Sequence, residues 1–446
     1  MQIRSTVQML LVCAAVVLLV LGLLWSRGAA AGPFDETSQL ALGLAIVVTV
    51  ALVGGHVASR LGQPAVLGEL LAGVALGNLP GLEKLQFLGA DPYLDVLARV
   101  GMLLLLFEVG LGLSVRDLFA VGTSSLVVAL LGTISSLALG IAASALLMPS
   151  APLETHVFLG AAVTATSVGI TARVLKDLGA SRSGEAGVIL GAAVVDDVLA
   201  LVVLSAVITW VSVGHGAAVG TRPILALVMK TGGFLVLAVV LGAKLTPTWF
   251  RQAAKLRTPG ALLAVGLCFC FVLSWAASAI GLAGLVGAFA AGLVLEDAHS
   301  ELFVQRGELS LGELLQPMVS FLVPVFFVLV GFRTSLVALA HPSLLALPVG
   351  LTIAAVAGKL CCAAGTLDRA MRRLTVAIGM IPRGEVTLVF AALGGTIQMD
   401  RGPVLNERGY AALVAVVILT TLVTPPALKW SLGRKPAATG LTKPAA

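Results

Sequence analysis

The chain has 446 residues, of which 59% are hydrophobic and 11% are charged, and its mean hydropathy is +1.07. Soluble domains carry about 25% charged residues, so this composition excludes an ordinary soluble protein and predicts an all-α polytopic membrane protein. We read the net charge of +6 as Lys and Arg retained at one membrane face, not as a nucleic-acid surface. The five Cys lie in apolar segments, which argues against a disulfide framework.

The first apolar segment, residues 7–25, is followed by Ala29, Ala30, Ala31, Gly32 and Pro33. This pattern fits either a cleaved signal peptide or an extra first membrane helix. We therefore separate residues 1–33 from a membrane domain of residues 34–433. Residues 434–446 are predicted to be a short cytoplasmic tail, too short for a nucleotide-binding domain.

Hydropathy and turn residues predict about thirteen further spans. They cover residues 40–59, 65–82, 97–113, 120–147, 157–175, 186–211, 224–245, 261–280, 285–295, 311–332, 344–364, 374–393 and 410–430. With these spans, 17 of the 28 Lys and Arg residues fall on the side of the C-terminus and 7 on the other side. Because cytoplasmic loops are enriched in basic residues, the C-terminus is predicted to be cytoplasmic.

Two adjacent carboxylates, Asp196 and Asp197, lie inside the apolar span 186–211. A charged side chain at the bilayer centre costs roughly 2.5–3.5 kcal/mol on insertion scales, so such residues mark functional sites. Helical neighbours point about 100° apart, and the two carboxylates therefore face different partners. In our interpretation, one of the two carboxylates faces a cation path. The alternative is that one Asp caps a helix and the other forms a structural ion pair.

Two other spans have interiors that favour a break in the helix. Residues 163–171 read Val-Thr-Ala-Thr-Ser-Val-Gly-Ile-Thr, and residues 379–386 read Gly-Met-Ile-Pro-Arg-Gly-Glu-Val. Pro removes a backbone donor and Gly adds conformational freedom. Unwound backbone at membrane depth occurs inside protein or along a cavity, although a simple kink explains each stretch taken alone.

The two interruptions occupy corresponding places in the chain. Each lies in the middle span of a triplet, covering about residues 120–211 and 344–430, and the triplets enter the membrane from opposite sides. This arrangement predicts an inverted repeat with two crossed, interrupted helices and a site at the midplane. Lys359 lies in the second triplet, where it requires a carboxylate partner or a short reach to the interface.

Together these residues resemble the monovalent cation/proton antiporter superfamily, in particular its electrogenic, Asp-Asp, NapA-like bacterial sodium/proton antiporters. The resemblance covers roughly residues 40–430. Its matching stretches are residues 63–69 (Gln-Pro-Ala-Val-Leu-Gly-Glu), 165–175, 191–199, 286–289, 358–359 and 382–386. It implies sodium/proton exchange, a homodimer, and a core domain that moves against a dimer domain in the bacterial inner membrane.

The resemblance also implies roles for individual residues. Asp197 is the carboxylate that binds Na⁺ and carries the proton, and Asp196 pairs with Lys359. Oxygens at the first helix break come from Thr164, Thr166 and Ser167, and the second break is stabilised by Arg383 and Glu385. This sequence departs from the family at one place. Members often carry Glu after the Gly-Leu that ends the third span, but here Gly110-Leu111 is followed by Gly112. A Glu occurs earlier, as Glu108, and its role stays open.

Other functions are weighed against this one. A potassium/proton antiporter or potassium efflux protein on the same fold is the nearest alternative, because both cations use oxygen ligands. A channel would not need a proton-competent Asp pair with a buried Lys, and a sensor would usually carry a soluble output domain. We expect neither enzymatic activity nor a cofactor, since the five His residues are scattered.

Overall fold

The computed structural model describes the chain in segments. They are residues 35–80, 85–112, 122–178, 180, 183–212, 260–280, 282, 284–295, 309–336, 342–368, 371–399 and 402–433, with scattered residues between 229 and 248. The segment 1–33 and the tail 434–446 lie outside the described residues, as does most of the predicted span 224–245. The predictions for those segments stay predictions.

The first described part of the chain is a helical hairpin followed by a third long helix. Helix α1 (Glu36–Arg60) is capped by the Asp35 carboxylate and turns within four residues into α2 (Ala65–Asn78). A short helix, α3 (Phe87–Ala90), leads to α4 (Pro92–Leu111). Asp91 caps α4 by accepting from two backbone N–H groups, and a Pro at the first helical position suits its fixed φ.

Four helices follow, and three more begin after residue 260. They are α5 (Thr123–Leu147), α6 (Leu153–Ala162), α7 (Val168–Asp177), α8 (Gly184–Ser212), α9 (Ala261–Ala279), α10 (Gly284–Val294) and α11 (Leu311–Phe332). A capping box between Ser310 and Glu313 starts α11.

The last part contains a second broken span. Helix α12 (Pro342–Cys361) continues into a 3₁₀ turn (Cys362–Gly365) and is followed by α13 (Arg373–Gly379) and α14 (Glu385–Thr396). A small antiparallel hairpin of β1 (Gln398–Met399) and β2 (Gly402–Pro403) precedes α15 (Glu407–Gly433). Seven helices in the described part are long and apolar enough to cross a membrane. The protein is therefore a helical, polytopic membrane protein.

The helices pack as two groups. The scaffold bundle consists of α1, α2, α4, α9, α10 and α11, and the core bundle consists of α5–α8 and α12–α15. Within the scaffold bundle, a Cβ added to Gly73 of α2 would lie 2.2 Å from the Val328 carbonyl oxygen of α11. Within the core bundle, a Cβ added to Gly358 of α12 would lie 2.5 Å from Ser136 Cα of α5. Backbones this close require small residues at the contact.

The two bundles meet differently at their two ends. Near the α2 C-terminus, the second half of α11 is buried, and the Tyr410 hydroxyl of α15 donates to the Val330 carbonyl of α11 at 2.8 Å. Near the α2 N-terminus, Gln316 and Ser320 on the first half of α11 are exposed. The bundles are thus packed together at one end and separated at the other.

Candidate ion-binding site

Two interrupted helices cross at the centre of the core bundle. Helix α6 ends at Ala162 and α7 begins at Val168, while α13 ends at Gly379 and α14 begins at Glu385. The Ser167 backbone N–H donates to the Pro382 carbonyl at 2.9 Å, which joins the two breaks directly. Interrupted helices fall where the hydroxyl-rich and Pro-Arg-Gly-Glu stretches predict them.

Hydroxyl groups of the first broken helix satisfy carbonyls that the second break leaves free. Thr166 donates to the Met380 carbonyl at 3.1 Å, and Thr171 donates to the Gly379 carbonyl at 2.7 Å. Thr164 instead donates to Ala161 in its own chain segment, at 2.7 Å. Buried carbonyls need partners, so these bonds explain why hydroxyl residues occur in this apolar helix.

The paired carboxylates lie on α8, which is unbroken where it passes the crossing. Asp196 is 1% exposed and Asp197 is 5% exposed. Lys359, which is fully buried, places its Nζ 2.9 Å from both carboxylate oxygens of Asp196. The structure therefore brings Lys359 and Asp196 together in a bidentate buried ion pair.

Helix α5 contributes to this ion pair, which we did not predict from the sequence. The Thr133 hydroxyl donates to Asp196 Oδ1 at 2.7 Å, and the Ser135 hydroxyl donates to the Gly358 carbonyl at 2.6 Å. A Cβ added to Gly132 would lie 3.3 Å from Lys359 Nζ. The sequence feature that could have indicated this contribution is the run Gly-Thr-Ile-Ser-Ser at residues 132–136, inside an apolar span.

Arg383, in the second break, is fully buried and donates hydrogen bonds to α5, α12 and the first break. Its guanidinium donates to the Ala355 carbonyl at 3.0 Å, and it lies 3.4 Å from the Ser136 hydroxyl, the Thr166 hydroxyl and the Met380 carbonyl. Its Nε has no hydrogen-bond partner among the described residues. The Glu385 side chain lies outside the described part, so its predicted stabilising role stays a prediction.

A cavity of about 390 Å³ separates the two bundles beside the helix crossing. From the core bundle it is lined by Ser167, Ile170 and Gly384 at the breaks and by Val417 and Thr421. From the scaffold bundle it is lined by residues of α2, α4 and α11 that include two carboxylates, Glu69 and Glu108. Glu108, whose role the sequence left open, therefore faces the space between the bundles.

The site contains buried charges and oxygen atoms, but most of these groups already interact with other groups of the protein. Asp196 is neutralised by Lys359, and the hydroxyls of Thr164 and Thr166 donate within the protein. Oxygen lone pairs remain at the hydroxyls and carboxylates, and such oxygens suit hard cations. Broken helices that meet inside a helical bundle, with charged residues beside them, are typical of secondary transporters.

Comparison with known proteins specifies the family. Residues 45–433 match the model of a protein family described as "sodium/hydrogen exchanger, transmembrane". The chain is 33% identical over 425 residues to the high-affinity Na⁺/H⁺ antiporter NhaS3 of Synechocystis sp., covering 87% of this chain and 88% of that protein. It is 32% identical over 399 residues to the Na⁺/H⁺-K⁺ antiporter GerN of Bacillus cereus, covering 88% of this chain and 96% of that protein.

The fold is also found in a solved structure. The sodium proton antiporter MjNhaP1 of Methanocaldococcus jannaschii matches with a TM-score of 0.64 at 18% identity, covering 89% of this chain and 98% of that one. The chain therefore belongs to the sodium/hydrogen exchanger family, whose members are transporters rather than enzymes. The predicted resemblance to monovalent cation/proton antiporters is confirmed at this level.

Proposed function

We propose that this sodium/hydrogen exchanger carries out exchange at Asp197, where Na⁺ or Li⁺ and protons compete for one carboxylate. The observation that carries the proposal is the buried ion pair that holds one member of the Asp pair. Asp196 is held by Lys359 in a buried ion pair, while its neighbour Asp197 lies beside it on the same unbroken helix. We assign Asp196 to the ion pair with Lys359 and, as the family resemblance implies, Asp197 to the transported ions.

The chemistry follows from the buried position of Asp197. A bare carboxylate is unfavourable inside the membrane, so the group is neutralised either by a proton or by a cation. Both ions need the same oxygens, and each therefore displaces the other. Thr164, Thr166 and Ser167 offer further oxygens at the first break, and Arg383 and Glu385 stabilise the second break in this proposal.

Alternating access is proposed as movement of the core bundle against the scaffold bundle. The cavity at one end and the contact between Tyr410 and Val330 at the other end support this interpretation. The Gly-mediated backbone contacts lie within each bundle, which lets each move as a unit. We further propose that the scaffold bundle forms a homodimer, as the resemblance implies.

The orientation is proposed from charge. The cavity is lined by Pro64 at the start of α2 and by Gln316 in the first half of α11, and Pro64 follows Arg60 in the turn that is predicted to lie on the side rich in basic residues. The cavity therefore faces the cytoplasm, and the protein lies in the bacterial inner membrane with a cytoplasmic C-terminus. Asp196, Asp197 and Lys359 offer at least two titratable sites beyond the cation, which allows exchange of two protons for one sodium.

Potassium exchange is the second candidate. The name of the GerN relative includes K⁺, and oxygen ligands serve both ions. Sodium is favoured because the matched family and the NhaS3 relative are both described by sodium/proton exchange.

The test is exchange in proteoliposomes with Na⁺, Li⁺ and K⁺ at several pH values. Asp197→Asn keeps the side-chain shape but cannot trade a proton for a cation, so we expect exchange to be lost while the protein stays folded. Glu407→Gln, an exposed carboxylate in the first turn of α15, is the matched control. Exchange at the wild-type rate in Asp197→Asn would remove Asp197 from the mechanism.

A further inference from the structure

We propose that the Thr387 hydroxyl is a further oxygen ligand for the transported cation, supplied by the second broken helix. Thr387 lies in the first turn of α14 and is fully buried, and its Oγ1 has no hydrogen-bond partner among the described residues. This inference rests on the proposed function, because it adds a ligand to the site at which Asp197 is proposed to bind Na⁺.

The usual partners of a helical Thr are taken at this position. A Thr within a helix commonly donates to a backbone carbonyl three or four residues earlier, and for Thr387 these carbonyls belong to Gly384 and Arg383. The Leu388 backbone N–H donates to the Gly384 carbonyl at 3.2 Å, and the Thr421 hydroxyl donates to the Arg383 carbonyl at 3.1 Å. Within the described part of the chain, the Thr387 hydroxyl is therefore unpaired.

An unpaired buried hydroxyl is unfavourable, because it loses its hydrogen bonds to water and gains none from the protein. Buried polar groups in folded proteins are nearly always satisfied, by protein atoms or by a bound water or ion. A Val would fill the same space without this cost. The hydroxyl of Thr387 therefore indicates a group that binds at this position during the transport cycle.

The contacts of α14 show which way Thr387 points. A Cβ added to Gly384 would lie 2.6 Å from the Ser167 side chain at the first break. Phe390 packs edge-on against Phe158 of α6, with ring centroids 5.6 Å apart. Thr387 lies three residues after Gly384 and three before Phe390, on the same side of the helix. It therefore points toward the part of the first broken helix that includes the unwound segment.

The unwound segment offers oxygen atoms that suit a monovalent cation. The last carbonyls of a helix lack intrahelical donors, so the end of α6 presents oxygens toward the break. The hydroxyls of Thr164 and Thr166 donate their hydrogens within the protein and keep lone pairs. Helix α14 also packs against α8, which carries Asp197. Thr387 thus adds a neutral oxygen from the second broken helix, and such oxygens are ligands for hard cations.

The experiment compares Thr387→Val, which keeps the shape, with Thr387→Ser, which keeps the hydroxyl. Sodium-dependent proton movement in proteoliposomes is measured over a range of Na⁺ concentrations at one pH. We expect Thr387→Val to raise the half-saturating Na⁺ concentration about tenfold, as for the loss of one polar contact to a charged group, and to keep most of the maximal rate. Thr387→Ser keeps the wild-type value. Thr387→Cys, whose sulfur is a poor ligand for a hard cation, is a second variant with the same expected rise.

The matched control is Thr396→Val, at the exposed end of the same helix, where the hydroxyl donates to the Leu393 carbonyl at 2.9 Å. It should leave the half-saturating Na⁺ concentration unchanged. Thermal unfolding in detergent gives a readout that does not require transport, because Na⁺ stabilises a folded protein that binds it. Thr387→Val should need about ten times more Na⁺ for the same rise in melting temperature. Without Na⁺ it should be at least as stable as the wild type, since a buried unpaired hydroxyl has been removed.

The outcomes separate this inference from the function on which it rests. An unchanged half-saturating Na⁺ concentration in both Thr387→Val and Thr387→Cys would overturn the role of Thr387. A loss of stability in Thr387→Val that is equal with and without Na⁺ would also overturn it and would indicate a structural water. Wild-type exchange in Asp197→Asn, or a wild-type protein that Na⁺ neither stabilises nor drives, would instead overturn the proposed function.

Discussion

The buried ion pair between Asp196 and Lys359 gives the most direct quantitative prediction. Lys359 is fully buried, Asp196 is 1% exposed, and Nζ lies 2.9 Å from both carboxylate oxygens. Replacing Lys359 with Ala leaves the carboxylate with the Thr133 hydroxyl and the more distant Arg383 charge. We expect both thermal stability and exchange to fall.

The size of the effect follows from the burial of both partners. Removing one member of a buried pair destabilises a protein by about 3–5 kcal/mol, because the other charge is left unmatched. The single variants Lys359→Ala and Asp196→Asn should each show a loss in this range. The double variant has no unmatched charge, so its loss should be smaller than the sum by about 2–3 kcal/mol.

The assay is thermal unfolding of the purified protein in one detergent, for the wild type, both single variants and the double variant. Lys429→Met is the matched control, because Lys429 is exposed near the end of α15. A membrane-potential dye in proteoliposomes then reports whether exchange still moves net charge. Losing a proton carried by Lys359 would leave exchange closer to electroneutral.

Two results would contradict this reasoning. Strictly additive losses of stability would show that Asp196 and Lys359 do not depend on each other energetically. Unchanged generation of membrane potential in Lys359→Ala would show that Lys359 carries no transported proton and would restrict it to a structural role.

Further predictions concern the second break, the helix contact behind it and the topology. Arg383→Gln should lower stability by roughly 2–4 kcal/mol in thermal unfolding, because carbonyls at the crossing lose a charged donor; an unchanged melting temperature would contradict this. Gly358→Ala should destabilise by about 1–3 kcal/mol, since its Cβ would meet the α5 backbone 2.5 Å away. Gly395→Ala, which meets nothing within 4 Å, is the control, and equal effects would refute the packing argument. A reporter fused after Trp430 should be active only as a cytoplasmic fusion, and a periplasmic signal would reverse the proposed orientation.

The sequence by itself determined the class of protein and several of its key residues. Long apolar runs need satisfied backbone groups in lipid, so helices followed from composition alone. Asp196, Asp197 and Lys359 stood out because charge inside an apolar run is expensive. Pro382 and Gly384 marked one break, since each disfavours regular helix at its own position, and these are local effects that need no knowledge of the fold.

Only the tertiary structure decided which groups meet. Thr133, Ser135 and Ser136 are ordinary hydroxyl residues in a membrane helix by sequence, because such residues usually bond to their own backbone. Their contacts with Asp196, Gly358 and Arg383 depend on how α5 packs against α8, α12 and the second break. The cavity beside Glu69 and Glu108 likewise depends on the gap between two bundles. Contacts between residues far apart in the chain arise from the packing of whole helices, and local sequence does not encode that packing.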